Sequence, residues 1–239
     1  MHIQWLGHSA FKVKLGAAQI LFDPFLRGNP SFSGDFAAVV KGTTHVLVTH
    51  AHNDHLGDTL EILKATGATL VANYEIASYV ASEFSDAKTA AMNIGGTAQV
   101  NGIDVTMTRA HHSSSYTAPD GRVIYGGSPG GLIARHDGRS VYHMGDTCVF
   151  SDMKLIEEFF APEIGLVPIG DWFTMGPREA ALAVDRYFHF KHVIPCHWGT
   201  FPMLAQSPDE FARNVHHTIV WAPKPGESRE FPRPVPLHS

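Results

Sequence analysis

Thr43-Thr44-His45-Val46-Leu47-Val48-Thr49-His50-Ala51-His52-Asn53-Asp54-His55-Leu56-Gly57-Asp58 is the stretch on which the reading of this chain turns. The apolar run Val46 to Val48 reads as a short buried strand, and it empties directly into three imidazoles and a carboxylate: His50, His52, Asp54 and His55. Four such side chains at a strand mouth are costly to desolvate unless a cation takes the nitrogen lone pairs and neutralises the carboxylate. On an extended segment His50 and His52 point the same way, while Asp54 and His55 follow where the chain turns. One pair therefore suits a first ion and the other pair a second. Asp58 then opens a helix through Leu60, Ile62 and Leu63 that fixes the loop from behind.

At 239 residues with 44% hydrophobic content, the chain supports one sizeable core and reads as a single domain over residues 1–239. Twenty-two glycines and fifteen prolines fit short strands and turns rather than a helical bundle. The net charge is −5 and the 18 basic residues are scattered, so the continuous positive surface used to bind nucleic acid is missing. A small-molecule substrate is expected instead. No apolar segment reaches the length of a membrane span, and Met1-His2-Ile3-Gln4-Trp5 lacks the basic start and apolar core of a secretory leader. With only Cys148 and Cys196, no disulfide framework is expected, and the cytoplasm is the default compartment. Both thiols are expected to be buried; strand alternation aims Cys196 opposite to His197 and into the core.

Outward from the motif, His2 to Leu6, Ala10 to Leu15 and Gln19 to Phe22 read as three short strands, the third stopped by Asp23-Pro24. His8 sits at a strand end, where it either reaches a pocket or is buried on Asp23 or a backbone group. A strand at Thr69 to Ala72 and a helix through Ile76, Tyr79, Val80 and Phe84 follow, and Asn101-Gly102 predicts a type I′ hairpin between Thr97–Val100 and Ile103–Arg109. That second strand exits into His111-His112-Ser113-Ser114-Ser115, and one of the two histidines is the candidate third ligand of the first ion. Arg122–Tyr125, Gly131–His136 and Ser140–His143 read as another antiparallel run, with Asp137-Gly138 as its hairpin turn. Asp146, a carboxylate after Gly145 at a strand end, can place one oxygen on each of two ions and is the natural bridge. His143, inside that strand, reads as a core residue or a support behind the site. Helices at Met153–Phe160 and Pro177–Phe188 flank a strand at Ile164–Val167, and His197 stands at the exit of a strand at His192–Pro195. Gly170 to Gly176 reads equally as an aromatic pocket wall or a plain connection, His216-His217 as solvated or capping, and Pro223 to Ser239 as a loosely packed tail.

The H-x-H-x-D-H spacing after an apolar strand and before Leu56-Gly57 resembles the signature of the metallo-β-lactamase superfamily. From Trp5-Leu6-Gly7-His8-Ser9 to Pro195-Cys196-His197-Trp198-Gly199-Thr200-Phe201-Pro202, the whole chain resembles its compact cytoplasmic branch of metal-dependent hydrolases, related to the sugar-lactonase-like members. The resemblance selects His112, which is followed directly by Ser-Ser, over His111, and it matches Gly145-Asp146 to the family's G-D motif. It also implies that His8 lies at or just behind the metal site, as a supporting partner or proton donor. The implied donor sets are His50, His52 and His112 for one ion and Asp54, His55 and His197 for the other, with Asp146 shared. The two halves, roughly 1–90 and 91–239, each read as strands followed by helices, so an α/β fold built as an internally duplicated, four-layer αββα sandwich is expected. The resemblance implies the same architecture.

These donors imply a metal-dependent hydrolase that uses two divalent ions, ~3.5–4 Å apart, to activate water against a small phosphodiester, lactone or ester. Zn2+ is the first choice for a thiolate-free, histidine-rich site, which also admits Mn2+, Fe2+ or Ni2+. Asp54 is expected to orient the nucleophile, and His8 or His111 to protonate the leaving group. Gly-x-Ser-x-Gly is missing, which argues against a covalent serine mechanism. Two other classes share the donor set: an iron-dependent oxidoreductase, and a metal-binding protein without turnover. A homo-oligomer is compatible with the sequence, which identifies no interface.

Overall fold

The computed structural model describes residues 1–233. His2–Gly7 (β1), Ala10–Leu15 (β2) and Ala18–Phe22 (β3) form an antiparallel meander. From β3 the pairing turns parallel, through His45–Leu47 (β4) and Thr69–Asn73 (β5) to Lys88–Met92 (β6). Parallel neighbours need crossovers, and these carry the helices Phe36–Val40 (α1), Asn53–Leu56 (α2), Thr59–Thr66 (α3) and Tyr74–Glu83 (α4).

The second half repeats the plan. Thr97–Val100 (β7) and Ile103–Arg109 (β8) precede a separate hairpin of Ser115–Thr117 (β9) and Val123–Tyr125 (β10), so Val123–Tyr125 does not join the antiparallel run expected with the two strands after it. Gly130–His136 (β11) and Arg139–His143 (β12) complete an antiparallel run with β7 and β8. Parallel pairing then continues through Ile164–Pro168 (β13) and His192–Cys196 (β14) to Ile219–Val220 (β15). Met153–Phe160 (α5), Pro177–Tyr187 (α6) and Asp209–Asn214 (α7) fill these crossovers. Ser228–Glu230 (β16) closes the chain by pairing with β1, on the far edge of the first sheet.

The layers follow from which residues of each strand face which way. Trp5, Phe11, Ile20, Phe22, Leu47 and Val71 of the first sheet pack against Val105, Met107, Leu132, Ile164 and Ile194 of the second. Their alternates Leu21, Val46 and Leu70 meet the first helical layer, and Tyr142, Val167 and Val193 meet the second. Both faces of the central strands are covered, so they read as nearly unbroken apolar runs, and the chain is an αββα sandwich. The predicted turns are present: Asn101 and Gly102 have φ of 44° and 90°, and Asp137 and Gly138 have 48° and 71°, the left-handed pair a type I′ hairpin requires.

Several expectations are corrected. The C-terminal segment is not a loose tail up to residue 233, because β16 adds a strand and Phe231 is buried in the inter-sheet core. Positions 234–239 of that stretch lie outside the described residues. Cys196 is buried in the inter-sheet core as expected, whereas Cys148 is exposed, since it falls in the loop after β12 rather than on a strand. The short elements α2, β6, β9, β15 and β16 have no periodic apolar pattern of their own. Their partners define them, as Asn53 in α2 shows by exchanging hydrogen bonds with the Thr117 backbone.

Candidate metal centre

The strands β1, β3 and β4 of one sheet and β8, β12, β13 and β14 of the other all point their C-terminal ends at one rim, and the donor side chains come from these exits. Turning a side chain back over a strand end takes unusual backbone. His8, Asp23 and His197 have φ of 54°, 40° and 59°, a left-handed region that costs non-glycine residues on the order of 1–3 kcal/mol each. Three such residues at one rim mark where the fold tolerates strain. Gly145, at φ 65°, delivers Asp146; a Cβ there would stand 2.7 Å from the carbonyl oxygen of Gly130.

Asp146 is the hub. Its Oδ2 lies 3.1 Å from His197 Nε2, 3.3 Å from His55 Nε2, 3.7 Å from His112 Nε2 and 3.9 Å from His50 Nε2. To one side, His50 Nε2 and His52 Nδ1 are 3.0 Å apart and His112 joins them; to the other, His8, Asp54, His55 and His197 gather. Within each group the donor atoms lie within 4.8 Å of one another, close enough to share a cation. His55 Nε2 and Asp146 Oδ1 are buried with no hydrogen-bond partner, which is the state a coordinating cation relieves. No thiolate lies among these donors. Histidine and carboxylate at this spacing fit divalent ions.

The supporting bonds settle which ring nitrogen faces the hub. Asp23 Oδ2 accepts from His55 Nδ1 at 2.7 Å and from the Thr49 hydroxyl at 2.7 Å. With its hydrogen so committed, Thr49 Oγ1 accepts from His50 Nδ1 at 3.0 Å. Asp23 and Thr49 thereby fix the Nδ1 protons and make Nε2 the nitrogen that faces a cation, its lone pair free on His50 and freed on His55 when the second proton leaves. Ser113 Oγ lies 3.2 Å from His52 Nε2, so Nδ1 is the His52 nitrogen that faces His50.

A family model described as "Beta-lactamase superfamily domain" matches residues 18–198. The chain belongs to that superfamily. It is 51% identical over 231 residues to a "UPF0173 metal-dependent hydrolase" of Chelativorans sp. (strain BNC1), covering 95% of this chain and 98% of the relative. A relative described in the same words from Agrobacterium fabrum is 48% identical over 235 residues, covering 97% and 100%. The solved structure of Igni18, a metallo hydrolase from the hyperthermophilic archaeon Ignicoccus hospitalis, superposes with a TM-score of 0.84 at 36% identity over 97% of this chain and 99% of that one. The protein is a metal-dependent hydrolase of the metallo-β-lactamase fold.

Electrostatics within this metallo-hydrolase divide the donors. Burial holds His50 well below the usual imidazole range, and burial likewise lowers His52 and His112, so all three are neutral donors at pH 7. Burial and the neighbouring His197 push His8 down to about 4 despite its contact with Asp54. His55 is opposite: burial would lower it, but Asp146 and Asp23 outweigh that and raise it well above its ordinary value. Burial would raise Asp146 and Asp54, yet His197 and His55 hold the first low, and His8 and His55 the second. Both carboxylates are therefore ionised and concentrate negative charge among the imidazoles.

The structure thus brings His50, His52, Asp54, His55, His112, Asp146, His197 and His8 to one place. His8 does not bond Asp23: its Nε2 meets Asp54 Oδ2 at 3.0 Å and its Nδ1 meets Thr200 Oγ1 at 3.1 Å, while Asp23 serves His55. His111 stays outside both donor groups, exposed, with its ring 4.7 Å from that of Phe150. His143 is buried, donating from Nε2 to the Ser9 carbonyl and accepting from Gly145 N–H, and so it shapes the turn that carries Asp146. His216 pairs with Asp185 at the surface, away from the donor groups. Thr49 and Thr200 carry no sequence signal that separates them from ordinary polar residues; only their adjacency to His50 and to the His197 exit could have drawn attention. Trp172 and Phe173 stand 73% and 53% exposed on the loop after β13, where Gly170 packs so closely on His197 that a Cβ would come within 2.6 Å of its Nδ1. No helix among the described residues is long and apolar enough to cross a membrane.

Proposed function

We propose that the centre is dinuclear and that it hydrolyses a small phosphodiester, lactone or ester. His50, His52 and His112 hold one divalent ion, Asp54, His55 and His197 hold the other, and Asp146 contributes to both. The position of Asp146 Oδ2, within 3.1–3.9 Å of nitrogens from four histidines on both sides of the site, is the observation that carries this reading. Zn2+ is the first choice, with Mn2+, Fe2+ and Ni2+ accepted by the same donors.

Cations bound there lower the pKa of water and stabilise the charge that develops on the substrate oxygen. The chain's own groups do the rest. Asp54 takes a hydrogen bond from His8 Nε2, which fixes the carboxylate and leaves its second oxygen to orient the attacking water and accept its proton. Thr200 holds His8 from behind at Nδ1. In an ester or lactone the acyl carbon–oxygen bond breaks, water supplies the new oxygen, and the departing alkoxide takes up a proton. Water at the open rim supplies that proton, since His111 lies outside both donor groups with its ring beside Phe150.

Metal analysis of the purified protein, followed by a panel of phosphodiesters, lactones and esters, tests this. Two ions per chain and turnover on one class are expected. One ion at saturation removes the dinuclear reading, and dioxygen consumption by the iron-loaded protein without hydrolysis would make it an oxidoreductase instead.

A further inference from the structure

Beside His112 a cavity of about 580 Å³ opens between Ile94, Arg109, His111 and Ser128-Pro129. Ile94 and Arg109 also line a second, apolar groove of about 260 Å³, whose floor and walls are Met107, Phe150, Leu155, Phe159 and Phe160. The two spaces share a boundary, so the groove leads away from the donor cluster. Its lining is almost wholly apolar. Met153 and Ile156 already give α5 a buried face, yet Leu155 and Phe159, one turn apart, are 46% and 75% exposed on another face, with Ile94 40% exposed opposite them. Between groove and cluster stands Arg109, an exposed guanidinium with no hydrogen-bond or ion-pair partner among the described residues; the groove's own acid, Asp152, is engaged with the Ser151 hydroxyl.

An apolar trough, then a lone cation, then a hydrolytic centre is the order of parts in an amphiphile read from tail to reacting bond. We propose that the groove holds the alkyl chain of an anionic, medium-chain acyl ester or lactone whose anionic group pairs with Arg109 and whose carbonyl lies at the Asp146 cluster. This rests on the hydrolytic reading above and narrows its substrate class. Chain length is then read by the groove and charge by Arg109. Phosphodiesters without an apolar tail become poor substrates.

Binding of straight-chain carboxylic acids from four to ten carbons to the metal-loaded protein, measured by calorimetry beside the matching alcohols, tests the groove without any turnover. Affinity should rise roughly 3- to 4-fold per methylene until the groove is filled. Leu155→Glu and Phe159→Glu, both surface changes, should flatten that rise. Arg109→Gln should weaken the acids by about 10-fold and leave the alcohols unchanged. A series flat in chain length, or one that Phe159→Glu does not alter, overturns the proposal. So does a dimer that Phe159→Glu splits while acid affinity stays constant, since the groove would then be an interface between copies of the chain. Rates on aryl monoesters of 2-alkylmalonates of the same chain lengths, which keep a free carboxylate between tail and acyl carbon, separate the two readings. Graded binding without hydrolysis keeps the groove and removes the reaction, whereas hydrolysis with no dependence on chain length keeps the reaction and removes the groove.

Discussion

The two donor groups that meet at Asp146 are built differently. His50, His52 and His112 form an all-imidazole trio, and His52 and His112 remain partly open to solvent. His8, Asp54, His55 and His197 form a mixed group in which three histidines are buried and a carboxylate carries charge, backed by Asp23 and Thr200. The trio offers neutral lone pairs, whereas the mixed group offers negative charge and also retains a proton on His55 that must leave when a cation arrives. One side of the site is thus poised as a receptive cradle, and the other trades protons for metal.

Removing the hub should have the largest effect. Asp146→Ala should empty both groups and cut turnover by at least ~10³-fold, with circular dichroism showing the fold retained. Two ions still bound would show that the groups are independent of it. Next, Asp54→Ala should abolish turnover while the trio keeps its ion, so metal analysis should fall from two per chain to one; loss of both would erase the distinction between the groups. Asp23→Asn acts only through His55 and the Thr49–His50 bridge, and should weaken metal binding by ~10–100-fold.

The pH dependence sharpens the contrast. Because protons compete for donor nitrogens, affinity falls as pH falls, by about tenfold per pH unit for each proton displaced. The trio's lowered pKa values keep it free of protons down through neutral pH, while raised His55 is still protonated there. Chelator competition between pH 6 and 8 should therefore show a steeper slope in the wild type than in Asp54→Ala, which retains the trio's ion; equal slopes would contradict the division. The smallest effect belongs to Cys196→Ser, in the inter-sheet core behind His197, which should leave metal content and most activity intact at a stability cost of about 1–3 kcal/mol. Metal loss in that variant would mean that the donor sets are wrongly drawn.

Two members of each donor group are legible because they are neighbours in the chain: one apolar strand, then His50 and His52 of the trio and Asp54 and His55 of the mixed group. The strands that run Ala10–Leu15, Thr97–Val100 and Ile103–Arg109 are legible for the same local reason, alternation or an apolar run bounded by turn residues. Lys88–Met92 is not, because Lys-Thr-Ala-Ala-Met has no pattern and becomes a strand only through the free edge of β5. Nor is the burial of Phe231, which depends on β1 offering an unpaired edge more than 200 residues away.

By itself the sequence determined the chemistry available at each strand exit and the alternation that makes two sheets with helical coats, since both are set by side chains within a few residues of one another. Only the tertiary structure decided who meets whom: that Asp23 holds His55 and not His8, that His111 turns away to Phe150, and that Asp146 stands between four imidazoles. Partner choice of that kind is a matter of ångströms between residues far apart in the chain, fixed when strand ends from two sheets are packed against one core.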